Sequence, residues 1–329
     1  MKEKYKKPFI VAEIGNNHEG SFEIAKKLIL KASECGVDAV KFQTFIPEYY
    51  VNSSDLKRFK QLKKFSLTKK NFISLSRIAK SKKLKFISTP FDLESAFFLK
   101  KIVDYFKISS GDNKYYDLIS TVLKFNKKTI ISTGLLNLIE LKKLYNFLVQ
   151  EKYNLKNISL LHCVASYPTD LKDINLERIK FIKNNFKVKP GFSDHTIGLT
   201  APITAFFYGA KIIEKHFTLD NNFSNFRDHK LSLNPNDMTK LVSFFKGFEK
   251  INTPLKENMS VEEKKNVLKM RRGYYAKKDL EKNTRLKLSD IKYVRPAGKN
   301  SINNLNEILD KKIKNNIKKD DPIVKKALR

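Results

Sequence analysis

At 329 residues the chain is too long for a comfortable single small domain, and its 41% hydrophobic content supplies a sizeable core, so one large barrel plus an appendage fits the size. The 66 Lys and Arg against 34 Asp and Glu give a net charge of +32. Lys runs through every helix pattern instead of gathering on one face or in one aromatic-lined groove, which argues against nucleic acid and membrane partners and leaves a basic field suited to drawing in an anionic substrate. No stretch approaches the roughly 20 apolar residues that span a bilayer. Met1 to Lys7 is basic, but the apolar run after it is short, broken by Glu13 and without a small-residue cleavage site. A secretory signal is therefore not expected, and the chain reads as soluble and cytoplasmic. Cys35 and Cys163, the only cysteines, suit a reducing compartment and receive no catalytic role.

Short apolar, β-branched runs bounded by polar or Gly signals predict strands at Phe9 to Gly15, Ala39 to Phe45, Lys85 to Phe91, Tyr105 to Gly111, Thr129 to Gly134, Ile158 to Tyr167, Lys189 to Asp194 and Ala210 to Phe217. Between them lie segments with apolar residues at helical spacing, such as Ile24, Leu28, Ile29 and Ala32, or Phe72, Leu75, Ile78 and Ala79. Strand and helix alternating eight times predicts an α/β fold, a (β/α)₈ TIM barrel over residues 1–251. An open doubly wound sheet would more often carry a Gly-rich phosphate fingerprint after its first strand, and Gly15-Asn16-Asn17-His18-Glu19-Gly20 is not one. After an amphipathic segment from Met238 to Ile251, residues 252–266 read as a polar linker. Residues 267–329 change character. Gly273 to Ala276, Ile291 to Val294 and Pro322 to Val324 are brief strand-like pieces, a small β-rich domain with little core of its own.

Active sites of such barrels form at the C-terminal strand ends. Polar residues stand there on every predicted strand: Glu13 and His18, Lys41 and Gln43, Ser88 and Thr89, Lys107 and Ser110, Ser132 and Thr133, His162 and Tyr167, Ser193 with Asp194 and His195, and Glu214 and His216. A lone Ser at a strand end is usually a loop hydrogen bonder, but eight such ends together point to a site, because buried ionisable groups are costly unless they serve one another or a ligand. The strand period puts Lys41 with Gln43, and Glu214 with His216, on one face, while Lys215 points away. If the seventh and eighth strands pair, their backbones lie roughly 4.8 Å apart and His195 and His216 reach one metal. With no cysteine ligand the coordination sphere would be open, which suits Lewis-acid work. Two unrelated histidines holding backbone carbonyls is the alternative left open at this level. Lys41 and Lys107, with neighbouring hydroxyls, describe a pocket for phosphate plus carboxylate. Glu13 stands at the mouth of the first strand as a candidate to orient or deprotonate a water.

Several ordered motifs carry a resemblance: Ala12-Glu13-Ile14-Gly15-Asn16-Asn17-His18, Val40-Lys41-Phe42-Gln43-Thr44-Phe45, Ser88-Thr89-Pro90-Phe91-Asp92, Lys107-Ile108-Ser109-Ser110-Gly111, Gly191-Phe192-Ser193-Asp194-His195-Thr196 and Ile213-Glu214-Lys215-His216-Phe217. Together they resemble the bacterial sialic acid synthase family, which includes N-acetylneuraminate, legionaminate and pseudaminate synthases. Residues 267–329 are similar to that family's antifreeze-like (SAF, β-clip) domain, with Tyr293-Val294-Arg295-Pro296 as landmark. The resemblance implies a domain-swapped homodimer in which each small domain covers the partner's barrel mouth. It also implies that phosphoenolpyruvate condenses with the aldehyde of an N-acylated mannosamine-type sugar, water adds at C2 and phosphate leaves with carbon–oxygen cleavage. His195 and His216 would hold a divalent metal, Mn²⁺ with Mg²⁺ or Co²⁺ as alternatives, and Glu13 would handle the water. Lys41, Thr89, Lys107, Ser110, Ser132 and Ser193 match phosphoenolpyruvate-binding positions. Gln43, Asp112, Tyr167, Glu214 and Asp228 fall on the sugar side, and Arg295 would reach in from the partner.

Three departures bear on the sugar. Ala165 stands where many relatives have a polar residue, Phe226-Arg227-Asp228-His229 replaces the family's Gly-Pro-Asp-His turn, and Asp112 stands where Glu is common. Two other readings compete. A different phosphoenolpyruvate-dependent aldol-type synthase would leave the C-terminal domain without a role, and a polyanion-binding protein rests on the charge alone.

Overall fold

Eight parallel strands close on themselves in chain order: β1 Phe9–Gly15, β2 Ala39–Thr44, β3 Lys85–Pro90, β4 Tyr105–Ile108, β5 Lys128–Ser132, β6 Ile158–Cys163, β7 Lys189–Asp194 and β8 Ile212–His216. This computed structural model describes residues 6–254 and 256–329, so Met1 to Tyr5 of the basic N-terminus lie outside the described residues. The chain divides into two units, Met1–Thr253 and Pro254–Arg329. Closure is made by β1 against β8, with Glu13 opposite His216.

The first and seventh strands have the predicted bounds, whereas the sixth stops at Cys163, short of Tyr167, and the fourth at Ile108, short of Gly111. There the chain leaves the ladder because turns and side chains take over its backbone groups. The Asp112 amide donates to the Ser109 carbonyl, Asn113 Nδ2 donates to the Ser132 and Gly134 carbonyls, and Thr169 Oγ1 donates to the Ser166 carbonyl. These residues become the loops of the barrel mouth.

The helices start and stop where local chemistry dictates. In Phe22–Cys35 the Ser21 hydroxyl accepts from the Ile24 amide, and Gly36, at φ 81°, ends the helix in the left-handed region. Leu138–Gln150 opens with a capping box of Asn137 and Glu140. Their apolar faces pack on the barrel's outer surface. Leu28, Ile29 and Ala32 of the first helix and Phe72, Leu75 and Ala79 of Lys69–Ser81 join one core with Phe42, Phe86 and Phe106, each large aliphatic contributing about 1.5–3 kcal/mol by its removal from water.

Inside the barrel the period of two sorts side chains into layers. Val11, Ala39, Ile87, Ile130, Leu161 and Ile212 form a buried apolar plug towards the N-terminal ends of the strands. Gly191 makes room for it, since a Cβ there would sit 2.7 Å from the Ile212 carbonyl and 3.0 Å from Leu161 Cδ1. One step beyond the plug, in the C-terminal direction, the inward positions turn polar.

In the second unit, β9 Gly273–Ala276 pairs antiparallel with β10 Ile291–Val294. Pro322 and Val324 add isolated bridges to Tyr275 and Ser301. Its core is small, built on Ala276, Leu280, Leu286, Ile291, Ile308, Ile313 and Ile323. The stretch read as a linker contains most of a helix, Val261–Met270, capped by Ser260. That helix buries none of its residues; Val261 and Met270 are exposed.

Candidate active site

The polar layer is a charge network. Lys41 Nζ lies 3.2 Å from Glu13 Oε2 and 3.2 Å from Glu214 Oε1, and Lys107 Nζ lies 3.3 Å from the same Glu214 oxygen. Lys107 also donates to Ser132 Oγ at 2.7 Å, and Ser193 Oγ donates to Glu214 Oε1 at 2.9 Å. Gln43 Nε2 donates to Glu13 Oε1, and Asn16 Nδ2 donates to Gln43 Oε1, which fixes the amide. All four charged groups are buried. Two carboxylates and two ammonium groups balance, which is the condition under which such burial is tolerated.

The two carboxylates differ in proton affinity. Burial pushes Glu13 up, Lys41 only partly offsets it, and the nearby Glu214 charge adds to the rise. Burial acts the same way on Glu214, but Lys107, Lys41 and the Ser193 hydroxyl outweigh it and hold that carboxyl at about 2. Adjacent carboxyls pushed apart divide their roles: Glu214 is a fixed anion and Glu13 the group able to carry a proton. Burial lowers the Lys107 ammonium, whereas for Lys41 the two carboxylates win over burial and raise it. Thr89 Oγ1, Ser110 Oγ and Glu214 Oε2 are buried without a hydrogen-bond partner in the protein. Buried polar groups are nearly always paired, so these three atoms around one cavity are left free to accept a partner from outside the protein.

The histidines stand beside this network, ring centroids 5.4 Å apart. His195 Nδ1 donates to the Val164 carbonyl at 2.8 Å, which turns the Nε2 lone pair outward. Burial, then the positive His195 and Lys41, hold His216 well below the usual imidazole range, so it stays neutral as a ligand must. His216 Nδ1 is buried and unpartnered. Among the described residues no cluster of three or more His, Cys, Asp or Glu able to hold a metal ion occurs. The donor set fits a metal held by two imidazoles with most of its coordination sphere open.

A cavity of about 260 Å³ joins the two constellations. Glu13, Lys41, Gln43, Thr89, Lys107, Ser110, Ser132, Tyr167, Ser193, His195, Glu214, His216 and Asp228 line it. Three of the sugar-side expectations look different in place. Glu214 is engaged by both lysines and Ser193 at the anion end of the cavity. Asp112 is not in the lining, because its carboxylate is taken up by the Ser109 hydroxyl. Arg295 belongs to the second unit, where it is exposed directly after β10. Of the other strand-end residues, His18 accepts from the Gly20 amide in its own turn, Ser88 and Thr44 share a hydrogen bond, Thr133 donates to the Leu161 carbonyl, and Asp194 pairs with Lys215 at 2.7 Å. Those are structural.

The sequence reading missed Asn16, Tyr50, Arg58 and Cys163 in the lining. Tyr50 and Arg58 come from the long β2–β3 connection, on the helices Pro47–Tyr50 and Leu56–Phe65. Arg227, noted only as added bulk and charge, lies 4.6 Å over the Tyr167 ring and 3.3 Å from Asp228. Tyr167 in turn lies 4.0 Å from the His195 ring. Around the mouth the βα loops and helix starts expose large apolar side chains: Tyr49 is 67% exposed, Leu135 70%, Ile139 67% and Ile197 65%.

The fold and the network define a class: a (β/α)₈ barrel whose C-terminal end holds a buried, charge-balanced network of two lysines and two carboxylates beside a pair of imidazoles. The chain belongs to the NeuB family, which it matches over residues 28–256, and its residues 271–329 match the SAF domain. It is 36% identical to the N,N'-diacetyllegionaminic acid synthase of Campylobacter jejuni, across 97% of this chain and 99% of that one. It is 33% identical to a pseudaminic acid synthase of the same species, across 97% and 96%. Among solved structures, N-acetylneuraminic acid synthetase from Leptospira borgpetersenii superposes with a TM-score of 0.72 at 30% identity, covering 80% of this chain and 91% of that one.

Proposed function

We propose that this protein is a nonulosonic acid synthase that condenses phosphoenolpyruvate with an N-acylated mannosamine-type sugar and releases phosphate. Family membership supports the reaction, and the unpartnered hydroxyls around Lys41 and Lys107 carry the placement of the anion. In this reading Lys41, Lys107, Thr89, Ser110, Ser132 and Ser193 bind the phosphate and carboxylate of phosphoenolpyruvate. Its C3 forms a bond to the sugar's aldehyde carbon while the aldehyde oxygen takes up a proton and becomes a hydroxyl, a water oxygen adds to the cationic C2, and the C2–O bond to phosphate breaks. The water oxygen remains as the C2 carbonyl and phosphate leaves. Glu13, whose carboxyl burial keeps ready to hold a proton, takes the proton of that water. Gln43, which holds Glu13 in place, with Tyr167 and Asp228 forms the sugar side, and Asp112 supports it through Ser109.

His195 and His216 would hold the divalent ion, Mn²⁺ or alternatively Mg²⁺ or Co²⁺, which when bound polarises the aldehyde. The protein's own contribution there is to keep His216 neutral, chiefly by burial, and to orient His195 through Val164 and Tyr167.

The assembly proposed is a domain-swapped homodimer, with the partner's Arg295 completing the sugar site. The exposed apolar rim of the mouth and the unburied helix Val261–Met270 support it, since both are surfaces that want a cover. The compartment proposed is the cytoplasm, without nucleic acid or membrane partners; among the described residues no helix is long and apolar enough to cross a membrane.

A phosphate-release assay with phosphoenolpyruvate, Mn²⁺ and a panel of N-acyl hexosamines tests the reading. Release dependent on one sugar of the panel supports it. Silence across the panel from folded, metal-loaded protein overturns it.

A further inference from the structure

The far end of the barrel has its own opening. The period that points Ser132 and Ser193 inward at the mouth also points Lys128 and Lys189 inward at the other end of β5 and β7, four residues earlier on each strand. Phe9 of β1 and Tyr105 of β4 occupy the matching positions and stack at 5.5 Å, with an interplanar angle of 24°. Ser159 of β6 and Ile212 of β8 complete the wall; in register, Ser159 faces Lys189 and Phe9 faces Ile212. The apolar plug closes the floor. The resulting cavity, of about 200 Å³, is further lined by Lys6, Lys7, Lys156, Asn157 and Lys211.

Among the described residues six lysines line this concavity and no Asp or Glu does. Lys7 already pairs with Asp38, and Lys128 rests against the Tyr105 ring with its Nζ 3.3 Å from the phenol oxygen. A lysine-rich chain puts cations everywhere, but on convex helix faces they diverge into solvent and often have acidic neighbours, as Lys31 has Glu34 and Lys180 has Glu177. Here Lys128 lies 5.2 Å over the Tyr105 ring, which stacks on Phe9, so an apolar aromatic pair stands among cations in a hollow whose described lining has no carboxylate, a local positive field beside an apolar contact. The catalytic chemistry of this fold belongs to the opposite end, so a ligand held here is not a substrate of the condensation.

We infer that the N-terminal opening of the barrel is a second anion-binding site, for a small ligand that joins a flat ring to phosphate groups, as a nucleoside diphosphate does. The ring packs beside the Phe9–Tyr105 pair, and the phosphates reach Lys128, Lys189 and the lysines of the rim.

The probe is ADP, titrated calorimetrically into the full-length protein, with pyrophosphate and adenosine as separate arms. ADP binds, pyrophosphate binds about tenfold more weakly, and adenosine more weakly still. Lys128→Gln/Lys189→Gln weakens ADP about tenfold, while Lys27→Ala/Lys101→Ala, on exposed helix and loop surface, leaves it unchanged. The chain has no Trp, so Phe9→Trp places a single indole at the site, and ADP shifts its emission. No binding at millimolar ADP overturns the proposal. So does binding that survives Lys128→Gln/Lys189→Gln but disappears in Lys107→Ala, since the ligand then occupies the mouth. Equal affinity for pyrophosphate and ADP overturns the role of the aromatic pair.

Discussion

The two ends of one barrel both present inward-facing lysines, under opposite conditions. At the mouth, Lys41 and Lys107 are buried and each is matched to a carboxylate. At the other end, Lys128 and Lys189 are exposed and have no carboxylate among the described residues lining their cavity. The same side chain on the same strand period is thus a pre-balanced part of a reaction site in one place and a solvated cation in the other. Net charge alone could not separate them, because the buried pairs contribute nothing to +32 and the rim contributes fully.

The contrast breaks most sharply on single substitutions. His216→Ala at the mouth is expected to abolish metal-dependent turnover while far-ultraviolet dichroism stays native; full activity would remove the imidazole pair from the site. Lys107→Ala should lower kcat/KM for phosphoenolpyruvate roughly 10²- to 10³-fold. It should also shift the denaturant midpoint downward, because Glu214 and the Ser132 hydroxyl lose a buried partner. Arg295→Ala should raise KM for the sugar about tenfold with little change for phosphoenolpyruvate; the reverse split would count against a partner's arginine at the sugar site.

A smaller effect comes from histidines outside the cavity. Burial holds His18 and His162 at about 4. The unfolded chain takes up protons on both near pH 6.5 while the folded one does not. The stability they contribute is therefore complete above that pH and is lost as pH falls towards 4. Urea midpoints measured from pH 7 to pH 4.5 should fall, and His162→Gln should flatten part of the slope. Smallest of all, Lys128→Ala/Lys189→Ala should leave kcat within about twofold, as exposed charges at the end of the barrel away from the mouth contribute little to it. A loss as large as that of Lys107→Ala would erase the distinction between the ends.

The barrel and most of the mouth were legible because strand period and strand ends are local properties. Glu13, Lys41, Lys107, Ser193 and His216 needed only a run of residues and a parity. Tyr50 and Arg58 were not legible: they sit in a connection whose path across the mouth is set by packing, such as Tyr50 on Phe91 at 4.2 Å. Glu214 was placed on the right strand and face, but its partners come from β2, β4 and β7, and a parity does not say which cations converge. Asp112 stands outside the lining for a nearer reason, since Ser109 three residues before it captures the carboxylate.

The plug of Val11, Ala39, Ile87, Ile130, Leu161 and Ile212 lies between the two openings. It is an insulator. Its six apolar side chains are fully or nearly fully buried and stand between the charged groups of the two ends. Any anion that acts on turnover from the N-terminal end must do so through the strands themselves. Its kinetic signature would be noncompetitive with phosphoenolpyruvate: a lowered maximal rate at an unchanged half-saturating concentration.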